Sequence, residues 1–518
     1  EKPLLLVEYC HSMGNSPGDF KEYRDLTEAY PRLCGGFVWE WCDHAVYKGI
    51  AENRKPMYWY GGDHGELQHD GNFCLDGLVY PDRRPHTGLL EYKNVHRPFR
   101  ADFDAAAGCL VIRNHLDFLD PGGRVKACWR LTADGETADA GEFLLPSITP
   151  HGKGRVPLVP KVPDRGHCFL QIDYIADSSF AGFRAGDALG SDEIVIRTGD
   201  DRNGKVLSLF PEEDGAREFA PEGAQEEKPR HARPEVREED TSLIISGDGF
   251  EYRMDTLSGL FTSFRAGGRE FLKAPADFNL WRAPTDNDRP VEERWKLERL
   301  DHTVTRAYEV TYEEAGDAVR LKVRQSTAAM SVQPILRTAA EYLIRSDGSI
   351  FMQAEVKKDP QIGTLPRLGL RFFLDLALDQ AEYFGIGPWE SYVDKCRAGH
   401  HGRFTASLEE LQEDYIRPQE NGSRCGCDYV RLTGEDIAFT AASADGEPFS
   451  FNASVYTQEE LEQKRHNYEL EPCGSTVLCI DHRMAGIGSK SCGPDLSEQY
   501  RIDEDTYRFA FLIRPERV

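Results

Sequence analysis

Residues 3–41 constrain the fold more than any other part of the chain. Pro3-Leu4-Leu5-Leu6-Val7 is a short apolar run with Glu8 directly after it. Such a run reads as a strand buried on both faces, the kind found in parallel sheets. Gly, Asn, Ser and Pro crowd Gly14 to Gly18, a helical stretch follows from about Asp19 to Ala29, and Pro31 ends it. Gly35 to Trp41 reads as a second strand, 31 residues separating Glu8 from Trp39. That is the period of one β/α barrel unit, with both residues at the C-terminal ends of strands, the rim where barrels build active sites. A barrel needs eight strand–helix units, and only about two are legible here before the pattern changes near residue 98. Two units cannot bury both faces of a parallel sheet. Residues 1–98 are therefore expected to be either the tail of a barrel or something smaller and atypical, in both cases poorly anchored and with apolar strand edges exposed.

The remainder is mainly β. Residues 57–96 are loop-rich and close with a helix at Leu89–Val95. Short alternating runs such as Leu110-Val111-Ile112-Arg113, Phe169-Leu170-Gln171-Ile172 and Glu193-Ile194-Val195-Ile196 predict a β-sandwich over 99–212. Residues 213–240 are charged and poor in large apolar side chains, which predicts a linker or mobile loop. Alternation resumes over 241–518, as in Phe250 to Met254 and Ile350 to Ala354, and predicts a second, larger β domain. The net charge of −26 repels phosphate backbones and anionic lipid, so a nucleic-acid partner is not expected. No apolar run approaches the roughly 20 residues that span a bilayer. Thirteen scattered cysteines without a C-x-x-C pair suit a reducing compartment, and a cytoplasmic location is expected.

Three features bear on chemistry. Glu8 follows an apolar strand, so its carboxylate lies at the edge of a low-dielectric core, where burying it unpaired costs several kcal/mol. Position alone divides evenly between a structural ion pair and a catalytic carboxylate. His11, three residues on, can reach the same cleft and hydrogen-bond a substrate hydroxyl. Trp39 is either a core aromatic or a flat apolar platform for a sugar ring, with Trp41 pointing to the same side. Two patterns mislead. Gly14-Asn15-Ser16-Pro17-Gly18 matches the G-x-S-x-G elbow of esterases, but that elbow needs a backbone N–H after the serine and Pro17 has none. Asp286-Asn287-Asp288 lacks the Gly and Glu of an EF-hand and reads as a capped turn.

LLLVEYCHSMGNSPG and YPRLCGGFVWEWCDH resemble the nucleophile region of the long, five-domain bacterial β-galactosidases of glycoside hydrolase family two. The likeness continues in the family's order through YGGDHGE, NFCLDGLVYPDRRPH, NLWRAPTDNDR, YFGIGPWESYVDK, YIRPQENGSRCG and MAGIGSKSCGP. It covers nearly the whole chain apart from the charged segment before residue 241. The fold it implies is a C-terminal piece of a β/α (TIM) barrel, then an immunoglobulin-like β-sandwich, then the large β-sandwich (supersandwich) domain that closes this family. Glu8 matches the nucleophile, His11 the histidine that contacts galactose hydroxyls, and Trp39 the floor of the galactose subsite. Phe73 matches the residue whose carbonyl binds a sodium ion, and Asp76 its side-chain ligand, where the best-studied member has Asn. Gly486-Ile487-Gly488 matches a loop that can place a tryptophan over the aglycone subsite. Here Ser491 or Cys492 falls at that position, and a thiol cannot stack on a sugar as indole does.

The resemblance implies retaining hydrolysis of terminal β-D-galactosides. That chemistry needs a second carboxylate as acid/base, about 5–5.5 Å from the nucleophile. In the family both that residue and the magnesium ligands lie upstream of the nucleophile. The chain is therefore expected to be inactive alone, to require the N-terminal part of the same enzyme, and to form a homo-oligomer when intact. Two other readings stay open: a non-catalytic subunit that complements a separate N-terminal chain, and a relative acting on another β-glycoside such as a glucuronide.

Overall fold

The computed structural model describes residues 2–198, 204–210 and 232–518. Its first unit holds strand β1 (Leu4–Tyr9), helix α1 (Phe20–Ala29) and strand β2 (Leu33–Val38), with β1 and β2 parallel. Gly36 permits their close approach, because a Cβ there would meet Leu6 and Tyr9 at 2.8 Å. Strands β3 (Val46–Ile50) and β4 (Pro56–Trp59) form a separate hairpin, and α2 (Thr87–Val95) packs against α1.

Two expectations fail here. β1 is not buried on both faces: Leu4 and Leu5 are about half exposed and Val7 is 78% exposed. Among the described residues β1 pairs only with β2, so no further sheet neighbour covers it. The second strand also stops at Val38 rather than running to Trp41. Beyond it the backbone changes partner: the Glu40 N–H donates to the Asp76 carbonyl, and the Leu78 and Val79 N–H groups donate to Glu40 and Trp41. Trp39 and Trp41 consequently lie in a turn.

The chain then becomes mainly β. Cys168–Ala176 pairs antiparallel with Val125–Ala133 and Ala188–Arg197, and Glu136–Leu144 completes a four-stranded sheet. Phe99–Asp104, Cys109–Asn114 and Lys153–Pro157 form a three-stranded sheet. Leu110 and Ile112 of the second sheet share one buried core with Leu131, Leu170 and Ile172 of the first, which makes a β-sandwich. Of the charged stretch, residues 211–231 lie outside the described residues. Its end is not linker: Glu235–Glu239 is the first strand of a five-stranded antiparallel sheet, paired with Ser242–Gly247.

The largest unit adds a second five-stranded sheet and a nine-stranded one. In the latter, Thr506–Arg517 lies between Ile350–Lys358 and Ile437–Ser443. Strict alternation explains the packing: along Ile350–Lys358 every second side chain is buried. One core runs through all three sheets, including Tyr252, Phe372, Phe439 and Phe511. No helix among the described residues is long and apolar enough to cross a membrane.

The first unit is firmly anchored, contrary to expectation. The loop after β1, residues 10–19, is buried and hydrogen-bonded into the C-terminal unit. Asn15 donates to the Glu420 carbonyl at 2.8 Å and accepts from the buried Lys395 ammonium at 2.9 Å. The Gly18 N–H donates to the Gly488 carbonyl at 2.8 Å.

Candidate active site

Glu8 is the last residue but one of β1, and its side chain is 43% exposed. The burial cost expected of it therefore does not arise; its carboxylate is open to solvent at the strand's end. His11 is buried beside it, with Nε2 3.9 Å from Glu8 Oε1 and 3.6 Å from Asp76 Oδ2. Both separations exceed hydrogen-bonding distance. Burial lowers the His11 pKa, only partly opposed by the charges of Glu8, Asp286 and Glu40, which keeps the ring neutral near pH 7.

Asp76 forms the floor of the cluster. It is buried, and burial pushes its pKa up to about 7, with the nearby Glu40 carboxylate adding to the effect. The Trp39 indole N–H donates to its Oδ2 at 3.0 Å and acts in the opposite sense. Its Oδ1 is buried without a hydrogen-bond partner. Trp39 keeps part of its ring exposed. Phe73 stands on a short 3-10 turn, Gly71–Cys74, its ring edge-on to His11 with centroids 6.2 Å apart and the Arg289 guanidinium 5.3 Å from its centroid. Neighbouring Asn72 donates to the buried Asp286, which also pairs with Arg289 and Arg417. Gly77 is obligatory for the chain crossing here, since a Cβ would meet the Asp43 nitrogen at 2.1 Å.

Cys492 arrives from 484 residues downstream of Glu8. Its thiol lies with the Glu8 carboxylate and the His11 ring in a group whose ligand atoms are all within 4.8 Å of one another. Burial raises the thiol's pKa, and the charges of Glu8 and Asp76 raise it further. The loop that carries it is held from three sides. Asp394 accepts from the Ile487 and Gly488 N–H groups at 2.9 and 2.7 Å, Arg282 donates to the Ala485 and Gly486 carbonyls, and Asn287 accepts from the Ser491 N–H at 2.9 Å.

The six residues singled out as site candidates in the sequence (Glu8, His11, Trp39, Phe73, Asp76 and Cys492) thus lie in one cluster around His11 and Asp76. The two decoys become structural. Ser16 donates to the His11 carbonyl and accepts from Asn287, so its hydroxyl is occupied in positioning the His11 loop. Asp286–Asp288 is a 3-10 turn capped by the Asp288 carboxylate, which accepts from the Thr285 N–H at 2.9 Å. Glu40 was missed as a contributor. Its signal was the Trp39-Glu40-Trp41 triplet, which brings a second carboxylate to the cluster. Gln419 was also missed; it bridges the Asn15 N–H and Asp286, and its signal was its place in the YIRPQENGSRCG block. All thirteen cysteines are free, Cys425 and Cys427 included.

Comparison with known proteins gives a consistent picture. Residues 1–101 match the family model described as the TIM barrel domain of glycosyl hydrolases family 2, residues 110–197 that of β-galactosidase domain 4, and residues 246–513 that of the β-galactosidase small chain. A β-galactosidase of Actinobacillus pleuropneumoniae is 39% identical over 98% of this chain and 47% of its own length. One of Staphylococcus xylosus is 32% identical over 99% of this chain and 49% of its own. The chain spans about half the length of the curated relatives it matches. A galactose 1-epimerase structure from Lactobacillus acidophilus aligns with 55% of this chain and 98% of its own, at 7% identity and a TM-score of 0.29, too little to carry an argument.

Proposed function

The chain belongs to the β-galactosidase small-chain family, and from that premise we propose that it supplies the nucleophile half of an enzyme that hydrolyses terminal β-D-galactosides, lactose-like substrates among them, with retention of configuration. The observation that carries the reading is Glu8: an accessible carboxylate at the end of β1, with His11 Nε2 3.9 Å away. Glu8 attacks the anomeric carbon and the glycosidic C–O bond breaks, leaving a galactosyl ester on Glu8. The leaving oxygen takes its proton from an acid/base carboxylate contributed by the part of the enzyme that this chain does not span. The same group then activates a water that releases galactose.

The other residues position the sugar. Neutral His11 hydrogen-bonds a galactose hydroxyl, and the Trp39 face forms the floor against the C–H face of the ring. Cys492 lines the aglycone side, where a thiol gives little stacking, so glucose binding and transglycosylation through that subsite are weak. A sodium ion at the Phe73 carbonyl and the Asp76 carboxylate fits the donor set, because Asp76 keeps a buried oxygen without a hydrogen-bond partner; it would supply a positive charge that holds a galactose hydroxyl. The magnesium ligands of the intact enzyme belong, with the acid/base, to the remaining part. The partners are thus the galactoside, the other part of the same enzyme, and further copies in a homo-oligomer.

The test uses the complete enzyme. A 2-deoxy-2-fluoro-β-galactoside with a reactive leaving group should inactivate it, and peptide mass spectrometry should find the sugar on Glu8. Glu8→Gln should cut turnover by more than the roughly 10²–10⁴-fold attributable to acid–base catalysis alone. A label on any other carboxylate, or retained turnover in Glu8→Gln, overturns the assignment.

A further inference from the structure

The structure assigns Glu8, His11 and Cys492 a second capacity: we propose that together they form a three-ligand site for a borderline transition metal of the zinc type, distinct from the sodium site at Phe73 and Asp76. A carboxylate oxygen, an imidazole nitrogen and a thiolate sulfur are the donor set that zinc selects, whereas sodium and magnesium prefer oxygen alone. The three ligand atoms lie within 4.8 Å of one another, with the histidine and carboxylate atoms 3.9 Å apart. Ligands around one zinc ion at bond lengths of about 2.0–2.3 Å stand roughly 3.3–3.8 Å apart, so side-chain rotation alone closes the set.

Three further observations support it. The His11 ring is buried, and Nε2 lies beyond hydrogen-bonding distance of both carboxylates beside it, so its lone pair is free to coordinate. Glu8 and His11 are three residues apart, a short chelating spacing, while the third ligand comes from a different unit of the molecule. The loop carrying Cys492 is fixed by Asp394, Arg282 and Asn287, so the third ligand is delivered by a braced element. As the metal–sulfur bond forms, the thiol releases its proton to solvent. Three protein ligands leave one position for water, the pattern of an exchangeable site. Occupancy ties up the Glu8 carboxylate, so such a metal would block galactoside turnover reversibly. That consequence rests on the proposed role of Glu8; the binding does not.

The experiment titrates the full 518-residue chain, reduced and freed of reductant, with Co2+ as a spectroscopic stand-in. One equivalent should raise a thiolate-to-cobalt charge-transfer band that Zn2+ then displaces. Cys492→Ser should abolish the band, while Cys34→Ser and Cys473→Ser, at other exposed thiols, should keep it. His11→Gln and Glu8→Gln should each weaken binding by more than the roughly 10–100-fold lost with an outer-shell partner. A measurement on the unaltered chain stands beside the variants: one equivalent of Zn2+ should slow alkylation of Cys492, followed by mass spectrometry, at least tenfold. No thiolate band, a band that survives Cys492→Ser, or unprotected alkylation overturns the proposal. A band that persists when the fluorosugar labels a carboxylate other than Glu8 removes the nucleophile and leaves the metal site.

Discussion

Asp76 is where burial and charge pull hardest against each other. Its pKa is raised to about 7, against about 3.9 in an unfolded chain. Between those values the unfolded state has lost the proton and the folded state still holds it, so stability falls as pH rises from about 4 to 7 and levels off above. Asp19, also raised to about 7 by burial and by Asp394, adds to the same slope. Asp76→Asn should therefore make the melting temperature less sensitive to pH between 5 and 8 without abolishing the dependence. Sodium should stabilise the wild-type chain more at pH 8 than at pH 5, since only the ionised carboxylate attracts it, and the variant should lose that difference. Equal pH slopes for the two proteins would refute the burial argument. Glu8 teaches the converse. Its position after an apolar run was legible, but the inferred desolvation was not real, because accessibility depends on which elements cover a strand end. The motif, rather than the energy argument, is what carries the proposal for Glu8.

At the scale of elements, the loop from Cys10 to Asp19 decides how the cleft is assembled. In sequence its Gly14–Gly18 part was rich in Gly, Asn, Ser and Pro and carried a false esterase signature. In the fold it is buried, because its polar groups find partners some 270–470 positions away: Asn287, Lys395, Gln419, Glu420 and Gly488. No local pattern reveals such partners, whereas alternation was readable in strands such as Ile350–Lys358, though not in strands buried on both faces such as Ile437–Ser443. Lys395 is the centre of this contact. Its ammonium donates to Glu390 and Asn15 at 2.9 Å, and Glu390 also accepts from Thr87, Tyr415 and the Gly422 N–H. Lys395→Met strands a buried carboxylate and should cost about 3–5 kcal/mol in urea unfolding. Adding Glu390→Gln should recover part of it, and a double variant no more stable than the single would contradict the pairing. Gly18 is the second test. A Cβ there would meet Asp394 Oδ2 at 2.2 Å and the Gly488 nitrogen at 2.8 Å. Gly18→Ala should cost about 1–3 kcal/mol by overpacking and speed alkylation of Cys492, because the displaced loop is the one that carries it. An unchanged alkylation rate would mean that Cys492 is positioned independently of this contact.

For the whole molecule, the division between a barrel piece and β units was legible from periodicity, but the surface of the first unit was not. Leu4, Leu5, Val7, Phe37, Trp41, Val46, Tyr47 and Ile50 are exposed together with Trp39 in one 47-residue stretch. The C-terminal unit leaves them exposed: what docks on it from the first unit includes residues 10–19, Asn72 and Thr87. So many exposed apolar side chains beside a two-stranded sheet with open edges seek a partner. We propose that the partner is the part of the enzyme carrying the acid/base, so that one association buries the face and completes the site. The 518-residue chain alone should then self-associate in sedimentation velocity as its concentration rises, and should give no measurable hydrolysis of a chromogenic β-galactoside. Leu5→Ser with Val7→Ser should reduce self-association while leaving the unfolding midpoint of the β units unchanged, since those side chains touch neither core. Mixing the wild-type chain with the remaining part of the enzyme should restore hydrolysis and suppress self-association together. The Leu5/Val7 variant should need a higher concentration of that part for half-maximal recovery. Robust hydrolysis by the chain alone, or recovery indifferent to Leu5 and Val7, would show that the exposed face is not what the other part binds.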